Sequence, residues 1–252
     1  MSNLLQRLNF GLRFIIIFHL ILYNRMLHYF TINTTVETVC FFIAFFCLIK
    51  DTSAAWRSIV LFLLITCVAE MTGIYCKALY LSDRAHIHPN AWVYNILIIF
   101  QACFFSLMYH HLFSKFIKNT SIIIGGLALL TFIYIYELFS HGFFVYVELT
   151  NTTLSVILVL YSLYYYYCLI KDNAFVNLKR SPEFWWVTGV LFFYFGTTVF
   201  NIFYEQLTEI MINTKHDLKY LKYFHNIFNV ILYGFWSYSF ICKKWMTTKP
   251  KY

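Results

Sequence analysis

Seven apolar segments of near-bilayer length, parted by short polar breaks, constrain this chain more than any other feature of its sequence. They lie near residues 31–50, 57–77, 92–113, 121–139, 153–170, 184–204 and 223–242. A helix needs about 20 mostly apolar residues to cross a hydrocarbon core of roughly 30 Å. Runs such as IVLFLLITCVA and VTGVLFFYFGTTVF are continuously apolar, whereas a membrane β-barrel alternates along segments of about ten residues. Only three prolines and eight glycines punctuate 252 residues, so long helices are left unbroken. The expected fold is an all-α polytopic transmembrane helix bundle. A seven-helix core occupies 31–242, a hydrophobic N-terminal helix lies within 1–30, and a basic tail covers 243–252.

Charged residues make up 12% of the chain, against about 25% in a soluble domain. The connections are too short for a soluble kinase or nuclease, and no GxGxxG or P-loop pattern is present. The net charge of +8 comes from Lys and Arg in short loops and at the C-terminus. The positive-inside rule accounts for that placement, and no nucleic-acid partner is expected. The seven cysteines sit in or beside apolar segments, without a CxxC pair or zinc spacing. They read as small buried hydrophobes. Cys40 and Cys76 fall near the same membrane face, but no bridge between them is expected.

Residues 11–30 read GLRFIIIFHLILYNRMLHYF. No small-residue cleavage site follows, so a removable signal peptide is not expected. The segment is either an eighth span, with Arg13 and Arg25 snorkelling to opposite surfaces, or an interfacial amphipathic helix. An eighth crossing makes the split of Lys and Arg between the two sides cleaner, and it is the preferred reading. Either way Lys243, Lys244, Lys249 and Lys251 place the C-terminus in the cytoplasm. The expected location is the bacterial inner membrane. Trp56, Trp92, Trp185, Trp186 and Trp245 fall at span ends, as an interfacial belt requires. Tyr164 to Tyr167 are read as belt or packing, and Gly125, Gly126, Gly189 and Gly196 as points of close helix approach.

The polar residues inside the spans carry the functional signal, because ionisable side chains there are costly and usually face the bundle interior. Antiparallel helices alternate in direction, so position within a span assigns each residue to one half of the membrane. Glu37 begins the first core helix and Glu70 lies near the end of the second. Tyr94 and Asn95 begin the third, with Gln101 further in. Glu137 ends the fourth, Asn201 and Glu205 end the sixth, and His225, Asn226 and Asn229 begin the seventh. All fall in the same half. Glu137 and His141, Asn201 and Glu205, and His225 and Asn229 are each four apart, and Tyr94 and Gln101 are seven apart. Each pair therefore shares a helix face. If those faces turn inward they line a polar cavity open to the non-cytoplasmic side, a common kind of ligand site in helix bundles.

Several chemistries fit poorly. A retinal Schiff base needs a mid-span lysine, and HNIFNVILYGFWSYSFIC has none. Haem needs histidines at matched depth, but His110 and His111 lie at the opposite end from His225. No HExxH or other dense ligand motif marks a metal site, and no nucleophile–base pair stands out. Neither a cofactor nor a metal is expected. No internal repeat supports a transporter.

The segments VETVCFFIAFFCLIK, LFLLITCVAEMTGIY, VYNILIIFQ, SPEFWWVTGVLFFYFG and FHNIFNVILYG resemble, in that order, an uncharacterised family of bacterial multi-span membrane proteins. A similar module precedes the kinase in some membrane histidine kinases. The resemblance covers about 36–242, and its matching positions are Glu70, Tyr94 and Asn95, the Pro182–Trp185 region, and His225 to Asn229. Such proteins often carry an acid where this chain has Gln101, which sets it apart from any shared proton or metal chemistry. The resemblance implies sensing or partner coupling.

The resulting expectation is a non-enzymatic membrane sensor or accessory protein. Its partners are the lipid bilayer, a small molecule or lipid ligand, and a membrane protein. Glu70, Tyr94, Asn95, Gln101, Glu137, Asn201, Glu205, His225 and Asn229 are the expected ligand-binding residues. A membrane-embedded enzyme or transporter using the same pocket, or a structural subunit of a membrane complex, is the alternative.

Overall fold

The computed structural model describes residues 31–84, 87–117, 121–172, 177–202 and 219–248. The expected N-terminal helix lies outside them. The described residues form seven α-helices, with no strand among them: α1 (Ile32–Leu48), α2 (Ala54–Ser82), α3 (Ala91–Phe113), α4 (Ser121–His141), α5 (Glu148–Lys171), α6 (Pro182–Ile202) and α7 (Lys219–Thr248). The all-helical, seven-helix architecture is thus as the sequence predicts. By length and composition α2, α3, α4 and α5 are each able to cross a membrane, and α1 is a shorter apolar helix of 17 residues.

Polar side chains set the helix starts. The Thr31 hydroxyl accepts from the Thr34 amide at 3.3 Å. The Ser181 hydroxyl accepts from Phe184 at 3.3 Å, with Pro182 at the first helical position, where its missing N–H costs nothing. Between α1 and α2 the Asp51 carboxylate accepts from the Ser53 amide at 2.8 Å. Helices also overrun their apolar segments. The α2 helix continues to Ser82 and is 29 residues long, because polar residues outside the hydrocarbon keep helical geometry when nothing breaks it.

Six of the helices close a ring. Around it α1 packs on α2, α2 on α3, α3 on α5, α5 on α6, α6 on α7, and α7 returns to α1. The remaining helix, α4, lies outside the ring against α3 and α5. It buries only Ile123, Leu130 and Glu137, and its outward Ile124, Phe132 and Phe139 are exposed.

Apolar burial drives helix association weakly where lipid is the solvent, so close packing must hold the ring. A Cβ on Gly189 of α6 would lie 3.1 Å from Trp236 Cδ1 and 3.2 Å from the Leu232 carbonyl oxygen of α7. A Cβ on Gly196 would run into the Phe228 ring, and one on Gly126 into the Tyr161 hydroxyl. Gly125 faces open space, so close approach explains only three of the four glycines. Trp56 and Trp186 are fully buried and belong to the core rather than the interfacial belt; Trp245 is exposed. Tyr165 is buried while Tyr167 is exposed, so the tyrosine run serves packing and surface together. All seven cysteines are free thiols.

An aromatic layer fills the middle of the ring. Phe62 and Phe104 stack at 4.0 Å between centroids, and Trp186 and Trp236 at 5.6 Å. Phe105 touches both tryptophans at about 6 Å. Trp236 Nε1 donates to the Trp186 carbonyl at 3.2 Å, and the Ser239 hydroxyl donates to the Pro182 carbonyl at 2.6 Å. Beyond this layer, towards the α7 C-terminus, Lys115 pairs with Glu183 at 2.8 Å and Lys243 approaches Asp51 at 4.0 Å.

Candidate functional site: a polar cavity inside the helix ring

On the other side of the aromatic layer the ring encloses a cavity of about 450 Å³. Every ring helix contributes to its wall and α4 contributes nothing. Asn33 and Glu37 come from the first turns of α1, and Thr66 and Glu70 from the second half of α2. Tyr94 and Gln101 come from α3, and Asn151 and Ser155 from the start of α5. Tyr194 and Thr197 lie late in α6, and His225 and Asn229 early in α7. The wall positions obey the alternation of antiparallel helices. Phe62, Phe105, Tyr233 and Trp236 form the floor. His225 and the Tyr146 side chain, both exposed, line it where it meets the surface.

Glu37 is the most enclosed acid here. It is 3% exposed, and its Oε1 has no hydrogen-bond partner. Asn33 Oδ1, one turn before it, is also buried without a partner. Such groups are uncommon in finished protein interiors and call for an explanation. Glu70 is half-buried, and the Tyr94 hydroxyl donates to its Oε2 at 3.4 Å. Gly73 makes that approach feasible, since a Cβ there would lie 2.6 Å from the same hydroxyl. The Asn229 amide donates to the His225 carbonyl at 3.2 Å, tying it to the preceding turn.

Of the nine residues expected from sequence, Glu70, Tyr94, Gln101, His225 and Asn229 meet on this wall. Asn95 and Glu137 do not. Asn95 is fully buried, and its amide nitrogen donates to the carbonyls of Phe143 and Val145, each at 2.8 Å. Its oxygen accepts from the Val147 amide at 3.2 Å. Glu137 accepts from the amides of Leu149 and Thr150 at 2.9 and 2.7 Å and from the Thr150 hydroxyl at 2.6 Å. It satisfies amides at the start of α5 that no helical carbonyl can reach. His141, one turn on from Glu137, is exposed. The Asn201 side chain and the whole of Glu205 lie outside the described residues.

The wall also includes residues that sequence reasoning did not single out as ligand positions. Glu37 is the chief one, and Asn33, Thr66, Asn151, Ser155 and Thr197 are among the rest. A usable signal was present, because Asn33 and Glu37, Thr66 and Glu70, and Asn151 and Ser155 are each four apart, the spacing that puts polar side chains on one helix face. Chemically the wall offers two carboxyls, several amides and hydroxyls, one imidazole and an aromatic floor. Among the described residues no three His, Cys, Asp or Glu side chains are placed to share a metal ion. Compared with known proteins, the chain matches no protein-family model, no curated protein and no solved structure.

Proposed function

We propose that this protein is an integral membrane sensor or accessory protein whose ring cavity binds a small polar molecule, a lipid headgroup or a partner's polar segment from the non-cytoplasmic side. The observation that carries the reading is the convergence of polar side chains from all six ring helices on one cavity, above a packed aromatic floor. Buried polar groups in a membrane are expensive, and gathering them around a hollow is costly unless something fills it. The floor favours binding over transport, since the ring is filled with rings and ion pairs beyond it.

Under the positive-inside rule the basic residues of the loops and of α7 support a cytoplasmic C-terminus, and the bacterial inner membrane is the proposed location. Occupation of the cavity would bias the packing of α6 on α7. The connection from α5 to α6 and the basic tail are the outlets for that change. This agrees with the resemblance to membrane modules that precede kinases.

The test is chemical extraction. The full chain is purified in nanodiscs cut directly from the producing membrane, and bound small molecules are identified by mass spectrometry. A molecule near one per protein is expected in the wild type, and Glu70→Gln should deplete it at least fivefold with the thermal midpoint unchanged. Only bulk lipid, in equal amounts from both proteins, would overturn the reading.

A further inference from the structure

Resting on that reading, we infer that the ligand of the ring cavity carries a positively charged ammonium group, seated between the Glu37 carboxylate and the aromatic floor. Three observations converge on this chemistry. The first is charge. The wall holds two carboxyls, Glu37 and Glu70, and no Lys or Arg among its described residues. An anionic ligand such as a phosphate would meet carboxyls with no Lys or Arg among the described wall residues to offset them, at a desolvated site where like charges repel strongly. A cationic ligand offsets the cost of ionising a carboxyl away from water, which a neutral ligand does not.

The second is an unmet valence. Glu37 is 3% exposed and its Oε1 accepts no hydrogen bond, while Asn33 Oδ1 beside it is equally unpartnered. Both orphans are acceptors that want a donor, and both belong to residues on the cavity wall. An ammonium group supplies donors to these two atoms, or in quaternary form a charge beside them. The third is the floor. Phe62, Phe105, Tyr233 and Trp236 present aromatic rings to the same space, and Trp236 is packed between Trp186 and Tyr233, with ring centroids 5.6 and 6.1 Å away. Cations are attracted to such faces, most strongly to tryptophan and more so when desolvated. A volume of about 450 Å³ admits a small organic amine or the tip of a lipid headgroup.

The experiment uses the full chain in nanodiscs made of phosphatidylglycerol alone, which bring no ammonium of their own. Isothermal titration is run with choline, ethanolamine and putrescine, with 3,3-dimethyl-1-butanol as the neutral isostere of choline, and with inorganic phosphate. At least one cation is expected to bind. For choline the affinity should exceed that of its neutral isostere tenfold or more, and phosphate should give no heat. Glu37→Gln, which keeps the shape and an acceptor oxygen, should weaken cation binding at least tenfold while the melting temperature stays within a few degrees. Because isostere discrimination is read in the wild type, the outcome does not hang on the variant folding.

Repeating the titration in discs containing phosphatidylethanolamine or phosphatidylcholine separates the two sources of the group. Loss of free-amine binding there assigns the cavity to a lipid headgroup, and unchanged binding assigns it to a soluble amine. Equal affinity for choline and its isostere, binding of phosphate, or no binding by any of the three cations would overturn the inference. The ligand-binding reading itself would survive those results if native extraction still yields a neutral or anionic molecule that Glu70→Gln depletes.

Discussion

At the residue scale, the division of labour between Asn95 and Glu37 organises the bundle. Both are polar and both are buried, yet Asn95 is fully hydrogen-bonded while Glu37 leaves its Oε1 without a partner. Asn95 spends both ends of its amide on the turn between α4 and α5, meeting Phe143, Val145 and Val147. That turn contains Gly142 at φ +82°, a conformation that side-chained residues seldom adopt. Replacing Asn95 with Leu fills the space but strands two carbonyls and one amide. A stranded buried group costs about 1–3 kcal/mol, and the exposure of Phe143 and Val145 lets water recover part of it. We predict a loss of about 2–4 kcal/mol in detergent-titrated unfolding of Asn95→Leu, with faster proteolysis between 142 and 147. A change below about 0.5 kcal/mol would show that the turn holds without it. The sequence places Asn95 at the right depth but is silent on its direction. Its partners are backbone groups some 50 residues later, and only the tertiary path of that turn brings them within reach. The same holds for Glu137 at the start of α5.

At the element scale, the contact of α6 with α7 is the seam through which a cavity event would reach the opposite end of the bundle. Gly189 is where its backbones come close, with Trp236, Phe235 and the Leu232 backbone within 3.2 Å of the position a Cβ would take. One methyl group can be absorbed by small shifts, but a branched side chain must push the helices apart. Gly189→Leu is therefore predicted to cost about 3 kcal/mol, the upper end for overpacking. It should also unstack Trp186 from Trp236, seen as a shift in tryptophan emission. Emission and stability like those of wild type would mean that the helices meet elsewhere. Here the legible part was the existence and extent of each span, because continuous apolar runs leave helices little alternative. The exclusion of α4 from the ring was not legible. Lipid and protein interior are equally apolar solvents, so an apolar helix carries no stripe to say which side faces its neighbours, and Glu137, the one acid of α4, pointed inward without pointing to the cavity.

At the scale of the whole molecule, the two halves of the ring are built differently. One is hollow and polar, and the other is filled by aromatic rings and closed by Lys115 with Glu183. Alternation of helix direction accounts for Glu70, Tyr94, Gln101, His225 and Asn229 sharing the hollow half. Substituted-cysteine labelling in sealed vesicles tests this asymmetry most directly, after the seven native cysteines are replaced. Thr197 lies on the cavity wall, whereas Ser162 is fully buried beside Tyr109 at 2.6 Å on the far side of the floor. A charged, membrane-impermeant thiol reagent should modify Thr197→Cys from the face opposite the C-terminus alone, and Ser162→Cys from neither face. Modification of Thr197→Cys from both faces, or from neither, would contradict a one-sided polar chamber.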